Sequence, residues 1–337
     1  MKRRLTIIVL ALAPLALTAC GEKHESVNPA PGSTQSLTLM LDWYPNADHV
    51  GIYQALAAGD FARAGLNLHI EVPANPATPL QLLAAGRIDA AISYEPELLL
   101  ARNQNQPLVS VAAIVQEPLT SIVSLGSKHI KTAAQLRGKR VGDAGIAYQH
   151  AYLQTILAHA GVPASSVKEI NVGANLVPAM LTRQVDATLG AYWNYEAIQL
   201  ARMGKHPNVI RVDQVGVPTY DELVLVVRQS TLVAHPDEIR RLVQAMARGY
   251  ESARANPAAA VANLVKANPG LDPKFQAAAV AATLPAFFPS NASDPWGWQD
   301  PAQWSAFGQW MLSNHLISNQ AAVADASTNE ELAGQGL

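Results

Sequence analysis

Aromatic and acidic residues coincide at three places in this chain, and such groups together can hold a flat ring with polar edges. The first is Asp42-Trp43-Tyr44, with Asn46 and His49 close behind. Tyr94-Glu95 is the second, and Tyr192, Trp193 and Tyr195 with Glu196 form the third. Aromatic faces stack on flat rings, and carboxylates accept hydrogen bonds from amine edges. No arginine lies among these residues, which suits a neutral or cationic heterocycle better than an anion. No HExxH, GxSxG or close histidine pair appears elsewhere to signal hydrolytic or metal chemistry.

Each cluster follows a strand. Leu37, Leu39 and Leu41 alternate with Thr38, Met40 and Asp42, the pattern of a strand with one buried face. Pro45 and Asn46 break it. Asp48 is placed to cap the apolar run Val50, Ile52, Tyr53, Leu56 as a helix, which Gly59 would end. The polar and aromatic residues therefore crowd the carboxyl end of a strand, where ligands sit in open α/β sheets. Tyr44 and Tyr53 read as rim or core.

The other two clusters share an internal echo. LLAAGRIDAAISY (82–94) and AMLTRQVDATLGA (179–191) align on Asp89 and Asp186, and both run into small-residue strands that let a backbone approach a ligand closely. Two facing walls are the reading. Strand and helix patterns alternate through most of the chain, and residues 223–228 are a further strand. From Pro236 onward the pattern is helical, with Ile239, Leu242, Val243, Met246 and Tyr250 at helical spacing. Trp296, Trp298 and Trp304 read as packing rather than as a lid. The turn Gly142-Asp143-Ala144-Gly145 could cradle an anion, but Asp143 would oppose phosphate.

The N-terminus carries an address. Lys2, Arg3 and Arg4 precede an apolar run too short to span a bilayer, and Leu17-Thr18-Ala19-Cys20 closes it. Cys20 is the sole cysteine of 337 residues. It resembles the lipidated residue of a bacterial lipobox, after a signal peptide over 1–19; the alternative is a plain secretory signal with an incidental cysteine. Residues 20–36 then read as a lipid-anchored tether, rich in Pro, Gly and Ser. One thiol excludes an internal disulfide. The net charge of −2, with scattered basic residues, argues against a nucleic-acid partner.

LDWYPNADHVGIYQALAAGDF (41–61) resembles the opening of the thiamine-pyrimidine binding proteins, in the superfamily of yeast-type pyrimidine synthases and alkanesulfonate-binding proteins. ISYEPE, IVSLGSKHIKTAAQLRGKRVG, AYWNYEAI, RGYESARANPAAAV and TNEEL extend the resemblance over residues 37–334. It implies a two-lobed α/β type II periplasmic-binding-protein fold with two hinge crossovers, near residues 125–127 and 220–223. Lobe one would comprise 37–125 and 223–337, and lobe two 126–222. Such proteins deliver ligand to an ABC permease and its ATPase, here a formylated aminomethyl-aminopyrimidine, with no cofactor.

Carried over by motif, Trp43 and Tyr94 would wall the ring from one lobe and Trp193 from the other. Glu196 would accept from the exocyclic amine, although a glutamate opening a helix also serves its dipole. Asn46, His49 and Glu95 would add polar contacts, with Tyr192 in support. Asp42 would brace its loop through the turn's backbone amides. The synthase-type relatives act through a lysine and a cysteine-rich motif. Their lysine position falls here on Ser93, its partner histidine near Glu97, and the motif on GAYWNYE, which has no cysteine. A binding protein is therefore expected, with riboflavin or an alkanesulfonate as alternative ligands.

Overall fold

Period-two and helical patterns alternate along the chain, and the computed structural model turns them into two sheets flanked by helices. It describes residues 34–335. The leader 1–19, Cys20 and the tether up to residue 33 lie outside the described residues.

Ten strands occur among the described residues: β1 (Gln35–Met40), β2 (Leu66–Glu71), β3 (Ala90–Ser93), β4 (Leu108–Val115), β5 (Thr120–Ser124), β6 (Arg140–Asp143), β7 (Lys168–Asn171), β8 (Ala187–Tyr192), β9 (Asn208–Arg211) and β10 (Leu223–Arg228). One sheet runs β2-β1-β3-β10-β4 and the other β7-β6-β8-β5-β9. The two share a plan. Three parallel strands are followed by one antiparallel strand inserted from the other half of the chain, β10 in the first sheet and β5 in the second.

This pairing corrects the position of the first crossover. β5 pairs with β8 and β9, so the chain changes sheets at 116–119, between β4 and β5, and not near 125–127. The strand pattern at 121–125 gives no hint of which sheet it joins, because a buried strand reads the same in either. The return occurs between β9 and β10, before Leu223.

The echo around Asp89 and Asp186 has a structural cause. Asp89 accepts the N–H of Thr38 in β1 at 2.9 Å, and Asp186 accepts the N–H of Arg140 in β6 at 3.0 Å. In each sheet the aspartate ties the turn before the third strand to the first. β4 lies at a sheet edge yet is buried at every position, because the C-terminal segment covers it. Ser110 exchanges backbone hydrogen bonds with Ala326 and Thr328, and Ala113 donates to Gly297. Trp296 stacks on Tyr250 at 4.9 Å, and Trp304 is buried. These tryptophans pack.

The helix Pro236–Ala255 buries Ile239, Leu242, Val243, Met246 and Tyr250 along one face, as its spacing requires. It crosses the helix Val50–Ala58 so closely that a Cβ on Gly249 would fall 2.1 Å from the Gly51 carbonyl oxygen.

Candidate functional site

The loop after β1 enters the cleft between the sheets and is locked by its own side chains. Asn46 Oδ1 accepts the Asp48 N–H at 2.7 Å, and the Asn46 N–H donates to His49 Nδ1 at 3.2 Å. This capping box starts the turn Ala47–His49 that leads into the helix Val50–Ala58. Asn46, not Asp48, is thus the cap. Gly59 ends the helix at φ +78°, as the sequence indicates.

His49 Nδ1 is an acceptor, so its proton sits on Nε2, which donates to Asp42 Oδ1 at 2.8 Å. The other Asp42 oxygen accepts the Tyr94 hydroxyl at 3.0 Å. Asp42 therefore braces the loop through His49 and Tyr94, where backbone amides were expected. His49 is fully buried and acts behind the loop.

A pocket lies between the sheets. Asp42, Trp43, Asn46 and Tyr94 line it from the first sheet's side, and Tyr148, Gln149, Gly190, Tyr192 and Glu196 from the second's. Ala144, Ile146 and Leu176 complete the lining. Among the described residues, Asp42 and Glu196 are its only acidic side chains, and no lysine, arginine or histidine lines it. Glu196 opens the helix Glu196–Arg202 and turns back to accept the Tyr192 N–H at 2.8 Å. Burial pushes its carboxyl up to about 7.

Three expected contacts stand elsewhere. Trp193 donates from Nε1 to the Pro118 carbonyl at 3.0 Å and lies under the Arg211 guanidinium, 5.1 Å from the ring centre. Its ring is bound to the first crossover, outside the pocket lining. Glu95 begins the helix Glu95–Asn103 and accepts the Asp221 N–H at 2.7 Å. It is fully buried at the second crossover. His49 is the third, behind Asp42. In each case a neighbour within the same motif faces the cleft, and motif position alone does not separate the two directions.

The sequence missed Tyr148, Gln149 and Leu176. The small residues of β8 did signal close approach, and Gly190 lines the pocket. The glycine turn is not an anion cradle. The Gly145 N–H donates to Asp143 at 2.7 Å and the Ala144 N–H to Gln149 Oε1 at 2.8 Å, so its amides are already engaged.

The halves also grip one another. Asn194, after β8, donates to Asp48 Oδ1 at 2.7 Å and to Thr283 Oγ1 at 2.6 Å. The Tyr195 ring lies 4.6 Å from that of Phe275, and the Tyr148–Tyr152–Tyr220–Phe307 rings form a chain across the crossovers. The cleft is closed.

A family model described as NMT1/THI5 like matches residues 46–260. The chain belongs to the NMT1/THI5-like family. Among its relatives, the formylaminopyrimidine-binding protein of Halalkalibacterium halodurans is 32% identical over 324 residues, covering 95% of this chain and 97% of the relative. The 4-amino-5-hydroxymethyl-2-methylpyrimidine phosphate synthase of Legionella pneumophila subsp. pneumophila is 25% identical, covering 88% and 92%. In structure, the alkanesulfonate-binding protein SsuA from Xanthomonas axonopodis pv. citri superposes with a TM-score of 0.69 at 17% identity, over 88% of this chain and 99% of that one. The fold of this NMT1/THI5-like protein is the type II periplasmic-binding-protein fold.

Within this NMT1/THI5-like chain, Ser93 and Glu97 pair with each other: the serine hydroxyl donates to Glu97 Oε2 at 2.8 Å. Burial pushes Glu97, Asp48 and Glu196 each up to about 7 and also raises Asp221, which is buried beside Glu95. Unfolding returns these carboxyls to their ordinary lower range, so the folded state holds protons that the unfolded state releases. The stability this contributes is complete below the ordinary carboxylate range and is lost as pH rises through about 7. The ligand-free protein should therefore melt at a lower temperature at about pH 8 than at about pH 5.5. Scanning calorimetry at both pH values checks this, and a higher melting temperature at the alkaline value would contradict it.

Proposed function

We propose that this protein is an extracytoplasmic solute-binding lipoprotein of an ABC importer, holding a formylated aminomethyl-aminopyrimidine between its two sheets. The observation that carries the reading is the pocket lining: four aromatic rings, two carboxylates and no cationic side chain. Sulfonate and nitrate want cations or free helix N-termini, and this pocket opposes them with Asp42 and Glu196. The name of the Halalkalibacterium relative points the same way.

In this reading Trp43 supplies one face of the ring sandwich, with Tyr94, Tyr148 and Tyr192 around it. Glu196 accepts from the exocyclic amine. Asn46 keeps its oxygen on the Asp48 N–H, which turns its NH2 toward a ring nitrogen. Asp42, His49 and Tyr94 hold the loop in shape, so Asp42 and His49 are positioning residues. Turnover is not expected, because the position that the family resemblance assigns to the synthase lysine is Ser93, engaged by Glu97. Lipid on Cys20 would keep the protein at the membrane beside a permease and its ATPase, spaced by the tether over 20–36.

The experiment starts from mature protein extracted from membranes, with intact mass reporting lipid on Cys20. Tryptophan fluorescence then follows titration with formylated aminopyrimidine, thiamine, riboflavin and taurine. The aminopyrimidine should bind tightest and be recovered chemically unchanged. An unmodified Cys20 would overturn the anchoring, and tighter binding of taurine or riboflavin would overturn the ligand.

A further inference from the structure

Gln149 stands at the start of the helix Ala147–His159 and is 2% exposed. Its Oε1 accepts the Ala144 N–H at 2.8 Å. A backbone N–H can only donate, so this bond fixes which end of the amide is oxygen. The NH2 end is turned the other way, against Gly190. A Cβ added to Gly190 would fall 2.3 Å from Gln149 Nε2, and Gly190 adopts φ +99°, where a side chain is strained. Among the described residues Nε2 has no hydrogen-bond partner, and both Gln149 and Gly190 line the pocket.

The geometry points to Gln149 as the residue that reads a carbonyl oxygen on the ligand's side arm, with Gly190 making room for the Gln149 amide. The inference rests on the aminopyrimidine reading and refines it. Ala144, Ile146 and Leu176 make the surrounding lining apolar, which suits a short neutral arm better than the edge of a ring. An NH2 group presents only donors. A formamide oxygen satisfies it, whereas the ammonium of the unformylated compound brings more donors and leaves it stranded. A buried polar group left unpaired is costly, so a site built around one hydrogen bond rejects the analogue that lacks its partner. Gln149 therefore separates the formylated ligand from its free amine, a distinction that neither stacking nor Glu196 can make.

Calorimetry on wild type, Gln149→Glu and Gln149→Ala, each with the formylated and the unformylated compound, tests this. Gln149→Glu keeps an oxygen for the Ala144 N–H and converts the donor end into a second acceptor. It should lose about tenfold or more in affinity for the formylated compound and gain affinity for the ammonium form, reversing the wild-type preference. Gln149→Ala should lose the preference without that gain, and circular dichroism confirms that each variant folds. Unchanged affinities in Gln149→Glu would overturn the inference. So would equal losses for both compounds, which would mark contact with a ring nitrogen they share. If wild type binds neither compound, the aminopyrimidine reading itself fails, and that result is visible before any variant is made.

Discussion

Glu222→Ala should destabilise the protein by about 3–4 kcal/mol, near the upper end of single-substitution effects. Glu222 is fully buried where the two crossovers meet. Its Oε2 accepts the N–H groups of Leu119 and Thr120 at 2.7 and 2.8 Å and the Tyr220 hydroxyl at 3.0 Å. Its Oε1 accepts the hydroxyls of Thr120 at 2.8 Å and Tyr192 at 3.3 Å. Burial penalises the charge and pushes the carboxyl pKa up, but alanine would strand two backbone donors that have nowhere else to turn. Glu222→Gln separates these effects. The donors on Oε1 are both hydroxyls, which can rotate to accept, so a glutamine can put its NH2 there and keep its oxygen for the backbone. We expect it to cost about 1 kcal/mol. Urea denaturation of both variants checks the order, and equal losses would mean that the backbone donors are not what Glu222 holds.

Trp43→Ala should weaken aminopyrimidine binding about ten- to a hundredfold, from the roughly 1–3 kcal/mol that a stacking ring supplies. Trp193→Ala should change affinity far less. Its indole N–H is held by Pro118 and its ring by Arg211, so its loss should appear in stability. Losses from Trp43→Ala should fall mainly on the dissociation rate, since a closed cleft holds its ligand through contacts made after encounter. Stopped-flow dissociation measured on both variants separates the two tryptophans. A larger effect from Trp193 would restore it to the site and displace Trp43.

The elements of this fold were legible wherever burial left a period. β1 shows its alternation, the helix Pro236–Ala255 its stripe, and β4 its long, largely apolar run. β7 and β9 were not read, because KEIN and NVIR are short and largely unburied and give no period to see. The first crossover was misplaced for the opposite reason: β5 is buried throughout, and such a strand is equally at home in either sheet. The pocket was half legible. Asp42, Trp43, Asn46, Tyr94, Tyr192 and Glu196 sit in local motifs at strand exits and do line it. His49, Glu95 and Trp193 share those motifs but turn to the loop's own support or to the crossovers. Gln149 carried no signal at all. It becomes part of the site through one bond to the Ala144 N–H and the missing side chain of Gly190, and both are facts of tertiary placement.

The most direct test of the account is a crystal structure of the mature protein grown with the formylated aminopyrimidine. The account places the ring in the pocket against Trp43, with its amine on Glu196. Clear density for the ligand outside that pocket, or a pocket left empty at saturating ligand, would contradict it.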